Sequence, residues 1–178
     1  MEEFDAVPEG SSTTDVLRSM FEGTDDTVYT KADLDGETED AFLPEGFENI
    51  VIQGYGNTKV VGNTQDNIIT GNAGDNIIDG GVGNDTFITQ GIFNQSTNVL
   101  NQDGSVTLTS AGGGADTLIN IERVQFDDRV QPLGEMDFYT EVSTVLPEGL
   151  NNIIIEGNNN PWVIGNSLDN EITGNIGN

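Results

Sequence analysis

Apolar residues in the first half of the chain recur at a spacing of nine positions. Val51, Val60, Ile69, Ile78 and Phe87 are separated by segments rich in glycine, asparagine and aspartate. Glycine and asparagine favour tight turns because they tolerate backbone conformations that other residues avoid. A strictly spaced apolar residue with turn residues between the copies is typical of a solenoid built from short repeated units.

One of these units matches a specific pattern at every fixed position. Residues 80–88 read GGVGNDTFI, which fits G-G-x-G-x-D-x-U-x, where U is a large apolar residue. Units 44–52, 53–61, 62–70 and 71–79 fit it in part. The pattern resembles the RTX (haemolysin-type) calcium-binding nonapeptide repeat. That resemblance implies an all-β, right-handed parallel β-roll or β-solenoid over 43–88, in which a six-residue loop and a three-residue strand form each unit and the eighth residue points inward.

A longer repeat is superimposed on the first. The tetrapeptide LPEG at 43–46 recurs at 146–149, an offset of 103 residues, and ITGN at 69–72 recurs at 172–175. We therefore expect a second, truncated β-roll over 146–178. The last residue falls inside a loop motif, so we interpret the chain as a slice of a longer tandem protein whose neighbouring repeats would be its partners.

Two segments lie outside the nine-residue register. Residues 1–42 are acidic, and residues 12–15 are predicted to cap a short helix through Met20 and Phe21. The same segment is expected to contain the edge of a preceding unit. In segment 89–145, Asp103-Gly104 between two alternating runs predicts an inserted antiparallel hairpin. The string DTLINIERVQF at 116–126 is predicted to pack with that hairpin over the open end of the roll, before a linker to the second copy.

The composition of the chain limits the classes of ligand and activity that it can have. Five basic residues against 31 acidic ones give a formal charge of −26, which argues against nucleic acid and anionic membranes and favours cations. The chain has no cysteine and no histidine, so it offers neither a thiolate metal site nor the commonest general base. Oxygen ligands remain, and these suit Ca²⁺. We expect no catalytic residues, no membrane-spanning segment and no enzymatic activity.

The predicted calcium site lies between loops 62–67 and 80–85. Asp85, at the sixth position of its unit, is the expected principal ligand, because carboxylates and backbone carbonyls are the ligands that calcium takes. Asn67 and Asp66 are expected secondary ligands, and Gly81 and Gly83 belong to the glycine-rich loop that supplies carbonyl oxygens.

A weaker site is predicted at Asn76 and Asp75, and Asp169 repeats the pattern in the second copy. The chain departs from the family pattern, because Asp85 alone among the five sixth positions is aspartate. Asparagines stacked at equivalent loop positions can also form amide ladders that hold a solenoid without any ion. A metal-free, asparagine-laddered solenoid is therefore the structural alternative.

Two functional classes follow from the resemblance. The first is a calcium-binding structural module of a large secreted bacterial protein (an adhesin, toxin or surface protein) that folds on calcium binding outside the cell. The second is the accessory roll of a secreted enzyme such as a protease, lipase or alginate epimerase. The 103-residue tandem favours the first, because long regular arrays are typical of extended surface proteins.

Overall fold

A computed structural model describes residues 17–18, 27–32 and 39–177. These residues form strands joined by short loops, with two single-turn 3₁₀ helices at Phe93–Gln95 and Leu133–Glu135. The strands are β1 Leu17–Arg18, β2 Thr27–Ala32, β3 Glu39–Phe42, β4 Asn49–Gly54, β5 Thr58–Val61, β6 Ile68–Thr70, β7 Ile77–Asp79, β8 Thr86–Ile88, β9 Thr97–Leu100, β10 Val106–Ser110, β11 Gly114–Ile119, β12 Arg123–Gln125, β13 Val130–Pro132, β14 Asp137–Thr140, β15 Thr144–Val145, β16 Asn152–Ile155, β17 Val163–Ile164 and β18 Glu171–Thr173.

Successive strands of the roll alternate between two sheets. One sheet has the order β1-β2-β4-β6-β8-β12-β13, the second has the order β18-β16-β14-β9-β10-β11-β7-β5-β3, and β15 and β17 pair in a third sheet beyond the roll. Within the roll, β2, β4, β6 and β8 pair in parallel, as do β3, β5 and β7. The fold is thus the predicted all-β parallel solenoid, and an antiparallel insertion interrupts one of its sheets.

The core is a stack of inward-pointing side chains, one from each short strand. Ile69, Phe87 and Val124 follow one another across the first sheet, and Val60 and Ile78 are neighbours in the second. All five are completely buried. Strands of three or four residues bury little individually, so the stacking of equivalent positions supplies the core.

The inward residue of the first unit differs from the prediction. Ile50, rather than Val51, pairs with Ile69 and is completely buried, whereas Val51 is half-buried. Strand β4 continues to Gly54, whose φ of 86° lets the chain absorb one additional residue before Val60. The same shift occurs 103 residues later, where Ile153 is completely buried.

The N-terminal segment continues the roll. Strands β2 and β3 extend the two parallel ladders on the N-terminal side of residue 43, and β1 pairs antiparallel with β2. Most of the helix predicted through Met20 and Phe21 lies outside the described residues. It is wrong at Leu17–Arg18, which form β1, because their backbone groups pair with the otherwise open edge of β2.

The predicted hairpin is present as β9 and β10, in which Val106 faces Leu100. Strand β11 then returns antiparallel to β10 and also pairs in parallel with β7. Strand β12 adds to β8 in the opposite sheet. The insertion therefore extends the ladders at the end of the roll edge to edge, and β9 passes the nine-stranded sheet on to β14.

The second copy repeats the register of the first. Asn152 pairs with Glu171 as Asn49 pairs with Ile68, and Thr144 pairs with Val163 as Ala41 pairs with Val60. The sheet membership differs, however. Strands β16 and β18 correspond to β4 and β6 of the seven-stranded sheet, yet they belong to the nine-stranded one. Strands β15 and β17 correspond to β3 and β5 of the nine-stranded sheet and form a separate two-stranded sheet.

Candidate calcium site

The loop that ends at Asp85 holds a buried carboxylate with one unsatisfied oxygen. Asp85 is completely buried, and its Oδ1 accepts the backbone N–H of Asn67 at 2.7 Å. Its Oδ2 is buried without a hydrogen-bond partner. The backbone N–H of Asp85 donates to Oε2 of Glu122 at 2.6 Å. A buried carboxylate oxygen without a partner costs free energy unless a cation or a proton neutralises it.

Burial, together with the negative charges of Glu122, Asp66 and Asp79, raises the pKa of the Asp85 carboxyl to about 6, against the lowering effect of the hydrogen bond from Asn67. Both ion pairs recorded for the described part of the chain lie elsewhere, at Lys59–Asp40 and Arg129–Asp128. The local electrostatics therefore favour a bound cation at Asp85.

Backbone carbonyls complete the surroundings of this carboxylate. A Cβ added to Gly80 would stand 2.6 Å from Oδ2 of Asp85 and would overlap the carbonyl oxygen of Asn120. A Cβ at Gly81 or Gly83 would overlap the carbonyls of the loop below, at Asn63 and Gln65. One carboxylate with closely packed carbonyl oxygens fits a hard cation such as Ca²⁺. Within the described ranges no group of three or more acidic side chains comes together, so most ligands of such an ion would be carbonyls.

Loops 62–67, 71–76 and 80–85 of the roll are of two chemically different kinds. In the first kind, the second and sixth positions are both asparagine, and the sixth donates from Nδ2 to Oδ1 of the second. This bond joins Asn67 to Asn63 at 2.9 Å and Asn76 to Asn72 at 3.0 Å. Such amide loops satisfy their own polar groups, which is the chemistry of the asparagine ladder.

In the second kind of loop, the second position is glycine and the sixth is aspartate. Gly81 and Gly83 have φ values of 91° and 153°, in the region that favours glycine, whereas Asn63 and Asn72 do not adopt positive φ. No side-chain amide stands at the second position to donate to or accept from Asp85. The polar groups of this aspartate loop therefore do not satisfy Oδ2 of Asp85, and a bound cation would.

The other predicted ligands have different positions. Asp66 is exposed, and its Oδ1 accepts the N–H of Asn84 at 2.8 Å, while Asp75 is exposed and accepts the N–H of Ala115 at 2.8 Å. These bonds run in the opposite direction to that from Asn67 to Asp85. A fifth-position aspartate thus reaches forward to the next loop, and a sixth-position aspartate reaches back. Loops 62–67 and 80–85 are joined by one bond in each direction, which we call a reciprocal clasp.

Asp169 is exposed in the loop equivalent to that of Asp66. Its neighbour Asn170 donates to Oδ1 of Asn166 at 2.7 Å, so this loop is of the amide kind. The second copy therefore reproduces the amide loop of the first.

Sequence reasoning missed Asp116 and Glu122. Asp116 is buried at the sixth position of AGGGADTLI, residues 111–119, which departs from the repeat pattern only by alanine at its first position. A search of the segment beyond Phe87 for this near match would have found Asp116. Nothing in the sequence indicates that Glu122 contacts the Asp85 loop.

The comparisons with known proteins identify the repeat. Residues 52–87 match the family model of the RTX calcium-binding nonapeptide repeat in four copies. Neither the curated proteins nor the solved structures gave a match. The chain therefore carries RTX calcium-binding repeats on a β-solenoid, which supports a calcium-binding structural module. Among the described residues, no helix has the length and hydropathy needed to cross a bilayer.

We expect Gly80→Ala to destabilise the roll by about 1–3 kcal/mol and to weaken calcium binding, because the added Cβ overlaps the carbonyl of Asn120 beside Asp85. Gly174→Ala is the matched control, since Gly174 opens a unit of the second copy and has no atom within 4 Å of the added Cβ. Urea unfolding and calorimetric calcium titration measure the two effects. Equal losses of stability and of calcium affinity in the two variants would contradict the inference that close packing at Gly80 supports the site.

Proposed function

We propose that this chain is a non-enzymatic, calcium-binding structural module of a large secreted bacterial RTX-type protein, and that it folds on calcium binding outside the cell. The observation that carries the proposal is the buried Asp85 carboxylate, whose Oδ2 has no partner in a loop matching the repeat pattern at every fixed position.

The high negative charge of the chain opposes folding, so a bound cation would stabilise the folded state. A formal charge of −26 opposes compaction, and burial of an ionised carboxylate opposes it further. A cation that binds only the folded roll stabilises it in proportion to the logarithm of its concentration over Kd. Millimolar calcium outside the cell would therefore favour the folded state, and scarce calcium inside would leave the chain open.

The test is a calcium titration followed by far-UV circular dichroism, with magnesium at matched ionic strength as the ion control. We expect a cooperative gain of β signal with calcium alone. Asp85→Asn should lower the calcium affinity at this site by about tenfold or more, because it removes the charged ligand and keeps an oxygen for the N–H of Asn67.

Asp40→Asn is the matched control variant. It makes the same charge change at an exposed residue whose ion pair with Lys59 spans 3.9 Å, and surface pairs of this kind contribute little. Equal effects of the two substitutions would mean diffuse counterion attraction. A β spectrum that is complete in chelator and unmoved by calcium would favour the metal-free, asparagine-laddered solenoid.

The accessory roll of a secreted enzyme remains the second candidate function. The amide loops and aspartate loops would serve that role equally well, because it too requires a roll stabilised after export. Expression with and without adjoining sequence, followed by activity assays, would separate the two roles.

A further inference from the structure

A second aspartate in the insertion reproduces the environment of Asp85. Asp116 lies in β11, beyond the residues that match the repeat family, and its side chain is completely buried. Its Oδ1 accepts the backbone N–H of Asn76 at 3.0 Å and the side-chain Nδ2 of Asn76 at 2.8 Å. Its Oδ2 is buried and has no hydrogen-bond partner.

The surrounding loop has glycines with positive φ at the same two positions as the loop of Asp85. Gly112 and Gly114, at the second and fourth positions, have φ values of 91° and 82° and so occupy the left-handed region, as do Gly81 and Gly83. The reciprocal clasp is also repeated, because Ala115 donates its N–H to Asp75 while Asn76 donates its N–H to Asp116. A 22-residue interruption, residues 89–110, therefore separates two units of similar design, 80–88 and 111–119.

The charge of Asp116 has no partner of opposite sign. Over the described ranges, the ion pairs involve Asp40 and Asp128, and the charge that acts on Asp116 is that of Asp75, which is also negative. The carbonyl of Gly74 lies against Gly114, where an added Cβ would overlap it. Oxygen donors of the two stacked loops, with one carboxylate, provide the ligand chemistry of a hard divalent cation.

We propose that Asp116 anchors a second calcium ion and that this ion fastens the inserted strand β11 to the roll. Strand β11 lies between β7 of the roll and β10 of the hairpin, so a cation at Asp116 would neutralise the one buried charge at that seam. This inference rests on the proposed function, because it assigns to the same module a further site for the same ion.

The experiment counts ions and locates their effect. Equilibrium dialysis of the 178-residue chain against calcium chloride should give two tightly bound ions for the wild type, one each for Asp85→Asn and Asp116→Asn, and none for the double variant. Asp40→Asn should retain two. Hydrogen exchange of Asp85→Asn with and without calcium should show calcium-induced protection of β10 and β11, and Asp116→Asn should lose it.

The outcomes separate this proposal from the function on which it rests. One ion in the wild type that disappears in Asp85→Asn would overturn the Asp116 site and leave the calcium-binding module intact. No tightly bound ion in the wild type would overturn both. Should Asp116→Asn fail to fold, the single ion remaining in Asp85→Asn still decides the matter, since protection elsewhere than β10 and β11 would contradict the proposal.

Discussion

Lowering the pH from 8 to 5 is expected to weaken calcium binding by about tenfold at Asp85 and about a hundredfold at Asp116, because each carboxyl must lose its proton before it binds the ion. Desolvation raises the pKa of Asp85 to about 6 and that of Asp116 to about 7, from an ordinary value of 3.8. Calorimetric titration across this range, with proton release measured in buffers of different ionisation enthalpy, tests the prediction.

The fall of stability with rising pH should disappear when calcium saturates the sites. In chelator, a carboxyl with a raised pKa binds more protons in the folded state than in the unfolded one, so stability falls as pH rises from about 4 to about 7. With saturating calcium, both carboxyls stay ionised in the folded state, and above about pH 5 the unfolded carboxyls are ionised too, so stability should be nearly constant over the rest of that window. The Asp85→Asn, Asp116→Asn double variant should show neither the fall in chelator nor its suppression by calcium, and a wild type whose stability falls equally with and without calcium would contradict cation binding at these carboxyls.

Phe87→Ala is expected to destabilise the chain by about 3–5 kcal/mol, the range for truncating a fully buried aromatic side chain. Phe87 is completely buried between Ile69 and Val124 of the same sheet, and its ring lies against Gly71. The cavity would therefore open at the point where the family repeats meet the insertion. Urea unfolding at saturating calcium measures the loss.

Phe42→Ala is the control for this substitution, because it removes the same atoms from a side chain that is 65% exposed. Its cost should stay within about 0.5 kcal/mol. Comparable losses in the two variants would mean that the inward stack does not form the core.

The nine-residue spacing was enough to predict the solenoid, because glycine-rich turns with one inward apolar residue per unit are compatible with only a few folds. It did not predict the position of Ile50, since the additional residue before Val60 is absorbed by a left-handed Gly54 that no spacing rule anticipates. The spacing also did not predict that β16 and β18 join the nine-stranded sheet. That membership depends on pairing between β9 and β14, which are far apart in sequence.

The candidate site could be predicted only in part, because one of its two aspartates lies inside the nine-residue register and the other lies outside it. Asp85 belongs to a unit that matches the repeat pattern at every fixed position, so its role as a candidate ligand could be predicted from the sequence. The interruption that follows Ile88 displaces the next unit from the register and conceals Asp116. Whether a carboxylate oxygen is left without a partner depends on which loop stacks above it, and that is set by the parallel pairing of β11 with β7.

Because β16 and β18 continue the sheet opposite to that of β4 and β6, one 103-residue repeat advances the coil by an odd number of half-turns. In any array built from this repeat, a given loop would point to opposite sides of the rod in successive copies. Ions, ligands or epitopes carried by that loop would then form two rows on opposite sides of the solenoid. The negative charge of the acidic loops would be shared equally between those two sides.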